Sequence, residues 1–238
     1  MKKIKPKWIP DLPNNIYHWG KPYVDYLNTS KLKQLAISPA HCHAMQETPP
    51  TKALRVGSLF HDIVLLKSDE QQLRNAYKDD EVDLAVAMAE SVLNHKKAAS
   101  LIKHGYREQS GVFADPDLGF PCKIRADILI PDLGIIADLK STRNAHPPSF
   151  KNDSKWLHYD WQGWWYLRGA NAIEGKKIFH TFLIIACEKK PPYGVMLYKI
   201  SQWRLDEAEQ EIMPLLELYK NCSDKNRWPS YPEEIMEI

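Results

Sequence analysis

The chain has 238 residues and a formal net charge of only +2, from 32 basic and 30 acidic side chains. This length suits one domain with a substantial core, and the charge balance excludes a strongly basic surface over the whole molecule. A local basic groove for nucleic acid is still compatible with these numbers. No apolar run approaches the ~18 residues of a membrane span, and the polar start lacks the apolar core of a signal peptide. The four cysteines form no CxxC pair, which is typical of reduced thiols, so we predict a cytoplasmic protein.

The spacing of apolar residues predicts alternating helices and strands. Residues 1–28, rich in proline and aromatic side chains, predict an irregular N-terminal arm, and residues 29–238 predict a single domain. Helices are predicted over residues 31–37, 53–66, 81–102, 156–170 and 205–219, with Ser58 as a helix cap. Strands are predicted over residues 108–114, 120–130, 135–142, 179–187 and 194–200, with a polar loop at 143–154. This order predicts an α/β fold whose mixed central sheet is flanked by helices.

The most informative stretch is Phe120–Thr142, which predicts two strands joined by the turn Pro131–Gly134. Side chains alternate between the two faces of a strand, and a hairpin centred on this turn separates them into an apolar and a charged set. The predicted apolar face holds Ile124, Ala126, Ile128 and Ile130 with Ile135, Ala137, Leu139 and Ser141. The predicted charged face holds Lys123, Arg125, Asp127, Asp138, Lys140 and Thr142. A slip of one residue would mix the sets, so the pattern specifies its own register.

This register places two carboxylates, those of Asp127 and Asp138, opposite each other. Opposed side chains in a sheet lie ~5 Å apart, where like charges destabilise, so the pair favours a shared proton or a bound cation. Mg²⁺ prefers oxygen ligands, and Lys140 on the same face could orient or deprotonate a water or stabilise phosphate charge. The alternative is a surface ladder in which Arg125 and Lys140 neutralise the two aspartates.

Three other patterns have both a functional and a structural interpretation. His61 lies on an apolar helix, where a single histidine is more often a core residue than a catalyst. Gln162 and Tyr166 share one helical face, which is equally typical of an ordinary helix surface. The run 41–43, His-Cys-His, suggests zinc, but no second pair of ligands follows at zinc-finger spacing.

The order of these motifs resembles the PD-(D/E)XK nuclease superfamily, in which a strand aspartate is followed on the next strand by an acidic residue, any residue and lysine. The branch it resembles is the nuclease domain of RecE (exodeoxyribonuclease VIII), which is related to phage lambda exonuclease. The matching motifs are Gly57–His61, Cys122–Asp127, Asp138–Thr142 and Gln162–Tyr166, with Thr29–Leu32 and Trp228–Pro229 at the two ends. The resemblance covers about residues 23–232, and the long N-terminal region of some RecE proteins has no counterpart here. The acidic residue of the second strand, often glutamate in the superfamily, is aspartate.

The resemblance implies a role for each matching residue. Asp127 and Asp138 would be metal ligands, Lys140 the catalytic lysine and His61 a fourth active-site residue that assists in binding metal or phosphate. Glu108 matches a glutamate that some relatives place near the metal.

The resemblance also implies contacts with DNA. Gln162 and Tyr166 would position the DNA end or backbone, and we predict further contacts from Arg125 and Arg143.

The activity implied is that of a Mg²⁺-dependent DNA exonuclease, with Mn²⁺ able to substitute. It would hydrolyse one strand of linear double-stranded DNA in the 5′→3′ direction and leave 3′ single-stranded tails for annealing-type recombination in a prophage. Relatives form ring-shaped homo-oligomers, and a single-strand annealing protein is a possible partner. The alternatives are an endonuclease or single-strand nuclease of the same fold, and a non-catalytic DNA-end-binding scaffold subunit. Iron–sulfur nucleases of this type are disfavoured because the cysteines lack cluster spacing.

Overall fold

A six-stranded mixed sheet forms the centre of the protein in the computed structural model, which describes residues 4–235 and 237. The strands lie in chain order across the sheet: β1 (Lys7–Ile9), β2 (Tyr106–Ala114), β3 (Pro121–Ile130), β4 (Ile135–Thr142), β5 (Thr181–Glu188) and β6 (Val195–Lys199). β4 and β5 are parallel, and the other neighbouring strands are antiparallel. The predicted α/β class with a mixed sheet is therefore confirmed.

Helices cover both faces of this sheet. They are α1 (Asn14–Trp19), α2 (Thr29–Ile37), α3 (Pro39–His43), α4 (Lys52–His61), α5 (Glu70–Ala76), α6 (Asp79–Asn94), α7 (Lys96–His104), α8 (Pro147–Trp156), α9 (Tyr159–Glu174) and α10 (Gln202–Lys225). A π-helical turn, Asp62–Leu66, extends α4. One apolar cluster packs α2, α9 and α10 against the sheet, and a second packs α4, α6 and α7 against it. Among the described residues, no helix combines the length and apolar character needed to cross a membrane.

The β3–β4 hairpin has the predicted register at its closed end. Ile128 pairs with Ala137, and Ile130 pairs with Ile135. Gly134 closes the turn with a φ of +63°, in the left-handed region that favours glycine. A Cβ at this position would also lie 2.5 Å from His180 Nε2, so the turn requires glycine for two reasons. The backbone pairing of β3 with β4 ends at Ile128 and Ala137, one residue before Asp127 and Asp138.

The prediction that Ile124, Ala126, Ile128 and Ile130 share one face is wrong. The first two belong to the cluster that packs on α9, whereas the last two belong to the cluster on the other side of the sheet. The change of face in β3 falls at Asp127, opposite Glu108 of β2, where the ladder between the two strands lacks a pair and Glu108 adopts a left-handed φ of +51°. A residue with positive φ departs from the extended backbone of a strand, so the regular pleat of the sheet is interrupted at this point.

The N-terminal arm is more regular than predicted. Residues 7–9 form β1 and pair with the outer edge of β2, and residues 14–19 form α1. Residues 1–3, the basic start of the predicted arm, lie outside the described residues. The arm is therefore the edge strand of the sheet followed by a short helix.

Three other predicted elements differ from the structure. The single helix over residues 81–102 is two helices that meet at His95, whose side chain caps α7 by accepting a hydrogen bond from Ala98 N–H. The polar loop at 143–154 contains most of α8, because its two prolines occupy the first turn, where a missing N–H costs nothing. Ser58 lies within α4, and Thr51 is its N-cap.

Candidate active site

A cleft of about 600 Å³ opens where β3 and β4 separate beyond their paired end. Asp127 of β3 lies on its wall, and Asp138 and Lys140 reach it from β4. His61 enters from the last turn of α4, and Glu108 from the irregular point of β2. The sheet and one helix thus bring together all five residues for which the sequence predicts metal binding or catalysis.

Asp127 is buried and fixed by the neighbouring strand. Its Oδ2 accepts a hydrogen bond of 2.8 Å from the backbone N–H of Leu139. Burial, together with the nearby negative charge of Asp138, raises the pKa of the Asp127 carboxyl to about 7. A carboxylate in this position is poorly solvated, and a cation beside it would stabilise its charged form.

Asp138 is held on both of its oxygens. Gln162 Nε2 from α9 donates to Oδ1 at 2.6 Å, and Lys140 Nζ lies 2.5 Å from Oδ2 as an ion pair. Burial alone would lower the pKa of Lys140, but the carboxylates of Asp138 and Asp127 raise it above its ordinary value. Lys140 therefore carries a positive charge, which suits it to stabilise negative charge and not to accept a proton from water.

The imidazole of His61 has a defined orientation. Its Nε2 lies 2.7 Å from the carbonyl oxygen of Leu139. Because a carbonyl can only accept, this nitrogen donates, and in the neutral ring Nδ1 keeps a free lone pair. Nδ1 faces Asp127 Oδ2 at 3.6 Å and Glu108 Oε1 at 4.0 Å. A backbone carbonyl that fixes the other nitrogen is the usual way in which a metal-binding histidine is oriented.

His61, Glu108 and Asp127 each offer a ligand atom, and these atoms lie within 4.8 Å of one another. Ligands of one divalent ion, each about 2.0–2.2 Å from it, are at most ~4.4 Å apart, so small side-chain shifts suffice for all three to contact one ion. Burial raises the pKa of Glu108 as well, so two poorly solvated carboxyl groups meet one imidazole lone pair. The donor set fits a divalent cation. Asp138 adjoins this group but is occupied by Lys140 and Gln162.

Comparison with known families decides the classification. Residues 28–237 match the family described as "PDDEXK-like domain of unknown function (DUF3799)". The chain belongs to this family. The PD-(D/E)XK superfamily predicted from the motifs is therefore confirmed, as are its α/β core and the enzyme class, a nuclease.

Solved structures also resemble this PDDEXK-like domain. A protein of Eubacterium rectale, provisionally named an exonuclease, is 18% identical, with 94% of this chain and 96% of that chain covered and a TM-score of 0.64. At this identity the likeness concerns the fold alone. The structure of SSO0001 is 16% identical over 78% of this chain and 83% of that chain, but its TM-score of 0.32 is too low to support an argument. Among curated proteins, none matches.

The residues predicted to contact DNA lie in different surroundings. Gln162 and Tyr166 both line the cleft of the PDDEXK-like domain. Arg125 also reaches it, but its side chain is only 12% exposed and donates to the backbone oxygen of Leu12 at 2.6 Å. Arg143 is 85% exposed and lies outside the residues that line the cleft. Three of the four residues predicted to contact DNA therefore lie at the cleft.

One wall of the cleft is not predicted from the sequence. The segment Asp11–His18, predicted as part of an irregular arm, contributes six residues to the lining of the cleft. Two basic side chains of β3 hold it: Arg125 stacks over the Tyr17 ring at 4.3 Å, and Lys123 Nζ donates to the Tyr17 carbonyl at 2.5 Å. No local pattern in the sequence indicates these contacts, because they join residues more than a hundred positions apart.

Proposed function

We propose that this PDDEXK-like domain is a divalent-metal-dependent exonuclease that hydrolyses one strand of linear double-stranded DNA. The observation that carries the proposal is the grouping of His61, Glu108 and Asp127 beside the ion pair of Asp138 with Lys140, in one cleft. The likeness in fold to a protein provisionally named an exonuclease agrees with this choice among nuclease activities.

The cation would be held by His61, Glu108 and Asp127. When bound, a divalent cation supplies Lewis-acid polarisation of the phosphate and lowers the pKa of water. We propose Mg²⁺ as the physiological ion because two of the three donors are carboxylates. The imidazole nitrogen also suits transition metals, so Mn²⁺ should substitute well.

The protein's own groups have separate tasks in phosphodiester hydrolysis. The ammonium of Lys140 stabilises the negative charge that grows on the phosphate oxygens in the transition state. Asp138 positions this ammonium, and Gln162 in turn fixes Asp138. The backbone of Leu139 orients two of the proposed metal ligands, because its N–H donates to Asp127 and its carbonyl accepts from His61.

The finer activity is proposed from the motif resemblance to RecE. It comprises 5′→3′ polarity, 3′ single-stranded tails for annealing-type recombination, a ring-shaped homo-oligomer around double-stranded DNA ends, and a possible single-strand annealing partner. The four buried, free cysteines fit the reducing cytoplasm in which we propose that the enzyme acts.

Digestion of a linear duplex labelled at one 5′ end or one 3′ end tests the proposal. We expect early release of the 5′ label with Mg²⁺ or Mn²⁺ and none with EDTA, and no release by the Asp138→Asn variant. Cutting of a closed circle would show an endonuclease instead. DNA retardation without cutting under any metal would show a scaffold subunit.

A further inference from the structure

The junction of α8 and α9 presents an unusually exposed aromatic side chain. Trp156, the last residue of α8, is 84% exposed, and Leu157 after it is 49% exposed. We call residues 155–158 the elbow. Tryptophan is enriched in binding surfaces relative to the rest of a protein surface, so the surroundings of Trp156 indicate whether it belongs to one.

The elbow is held in place by the fold. Phe150 of α8 is buried and stacks on Tyr198 of β6 at 4.4 Å, with 12° between the rings. Lys33 of α2 donates to the Leu157 carbonyl at 2.5 Å. Trp156 is therefore presented by a helix anchored at both ends, and a rigid aromatic side chain loses little conformational entropy when a ligand stacks on it.

The elbow adjoins the reaction centre. Tyr159, three residues after Trp156, begins α9, and Lys140 Nζ lies 5.3 Å from the centre of its ring. Three residues span at most ~11 Å, so the Trp156 backbone is within that distance of Tyr159. A polymeric substrate whose phosphate lies at Lys140 can thus extend onto Trp156.

The charge around the elbow fits a polyanion. Residues 143–158 contain three basic side chains (Arg143, Lys151 and Lys155) and one acidic side chain, Asp153, so this segment carries +2, as much as the whole chain. All three basic residues are exposed. Asp153 pairs with Arg143 at 3.8 Å.

A cavity of about 400 Å³ lies beside Trp156, and its lining includes two acidic groups, Asp160 and Glu211. Asp160 pairs with Arg204 at 2.6 Å, and Glu211 accepts a hydrogen bond from Trp161 Nε1 at 2.6 Å. The charge of Asp160 is therefore balanced by Arg204, whereas Glu211 keeps its negative charge, so a phosphate chain is better placed on the Lys151 and Lys155 side of the elbow.

We propose that the elbow binds a single-stranded segment of the DNA substrate, with a base stacked on Trp156 and phosphates beside Lys151 and Lys155. Duplex DNA buries its base faces in its own stack, whereas every base of a single strand can stack on an aromatic ring. The proposal rests on the proposed function for its substrate, DNA. It adds that the enzyme holds an unpaired strand next to the centre.

Fluorescence anisotropy in EDTA tests this without hydrolysis. We expect the intact protein to bind a labelled single-stranded oligonucleotide, Trp156→Ala to weaken binding about tenfold, and Trp156→Phe to retain most of it. The double change of Lys151 and Lys155 to Gln should reduce the salt dependence of binding by about two phosphate contacts. Tyr231→Ala, which alters an aromatic residue 63% exposed in the C-terminal tail, is the matched control and should bind like the wild type.

Equal binding by Trp156→Ala and wild type, or an equal loss in Tyr231→Ala, overturns the proposal. So does a wild type that binds no single strand but self-associates through Trp156 in sedimentation, which would identify the elbow as a contact between copies. Trp156-dependent binding without hydrolysis under any metal would contradict the proposed function and leave the elbow proposal intact. Hydrolysis together with single-strand binding that does not depend on Trp156 would support the proposed function and contradict the elbow proposal.

Discussion

The backbone N–H of Leu139 donates to Asp127 Oδ2, 2.8 Å away, at the point where a regular hairpin would continue its ladder. The carboxylate thus takes the place of a backbone acceptor, and β3 and β4 separate beyond it. The Asp127 side chain therefore satisfies a backbone N–H at the edge of β4, and the cleft opens beyond this point.

The apoprotein should become more stable when Asp127 is replaced by Asn. An acid whose pKa is raised by folding destabilises the folded state as pH rises from about 3.8 towards 7. The amide keeps an acceptor for Leu139 N–H and removes the charge, so the free energy of unfolding in EDTA should rise by about 1–3 kcal/mol at pH 7.5. Urea unfolding at pH 5 and 7.5 measures this, and the gain should be smaller at pH 5. An equal gain at both pH values would contradict the explanation.

Asp138→Asn should reduce nucleotide release to a trace while the fold is retained. The amide can still accept from Gln162, but it cannot balance the charge of Lys140, so the ammonium is released from its position. We expect a fall in rate of about 10³-fold, comparable to the loss of one positioned charge-stabilising group. Gel assays of end-labelled duplex measure it, with circular dichroism for the fold. Asp132→Asn, the same change in the exposed hairpin turn, should remain active; a loss in both variants would argue against a specific role.

His61→Ala should weaken metal binding more than it weakens the fold. The variant removes the Nδ1 donor that faces Glu108 and Asp127, and we expect Mn²⁺ affinity to fall about tenfold or more. Isothermal titration with Mn²⁺ measures the change. His104→Ala, at the exposed end of α7, is the control. Unchanged affinity in His61→Ala would remove the imidazole from the ligand set.

Folding stability should also depend on Lys123 above neutral pH. Burial, with the charges of Lys31 and Arg125, lowers the pKa of Lys123 to about 7, whereas the unfolded chain keeps an ordinary lysine. Between about pH 7 and 10 the unfolded state binds the extra proton, so this group's contribution to stability rises with pH, by up to about 1.4 kcal/mol per pH unit. Lys123→Met should remove that part of the slope in urea unfolding from pH 7 to 9.5. An unchanged slope would show that the amine is not desolvated.

The sequence was sufficient to predict the part of the site that depends on the hairpin turn and its register. The turn at Gly134 and the apolar pairs around Ile128 fix the register, and the register brings Asp127 next to Asp138 and Lys140. These are local signals, and the structure has the same register at the closed end of the hairpin.

The remaining features depend on contacts between distant residues. Glu108 has a left-handed φ at the point where the β2–β3 ladder is interrupted, and the sequence has no glycine there to indicate it. β1 has three residues, too few for alternation to be distinguished from an irregular segment. The segment Asp11–His18 becomes a wall of the cleft only because Lys123 and Arg125 hold it from another strand.

The parallel pairing of β4 with β5 has a consequence for synthesis of the enzyme. Asp138 and Lys140 leave the ribosome well before Thr181–Glu188, the strand that supplies eight register pairs to their own. Gln162, which secures Asp138, also emerges later. The nascent chain therefore cannot complete its reactive centre until most of it has been translated, and a truncated product ending before β5 should leave nearby nucleic acid uncut.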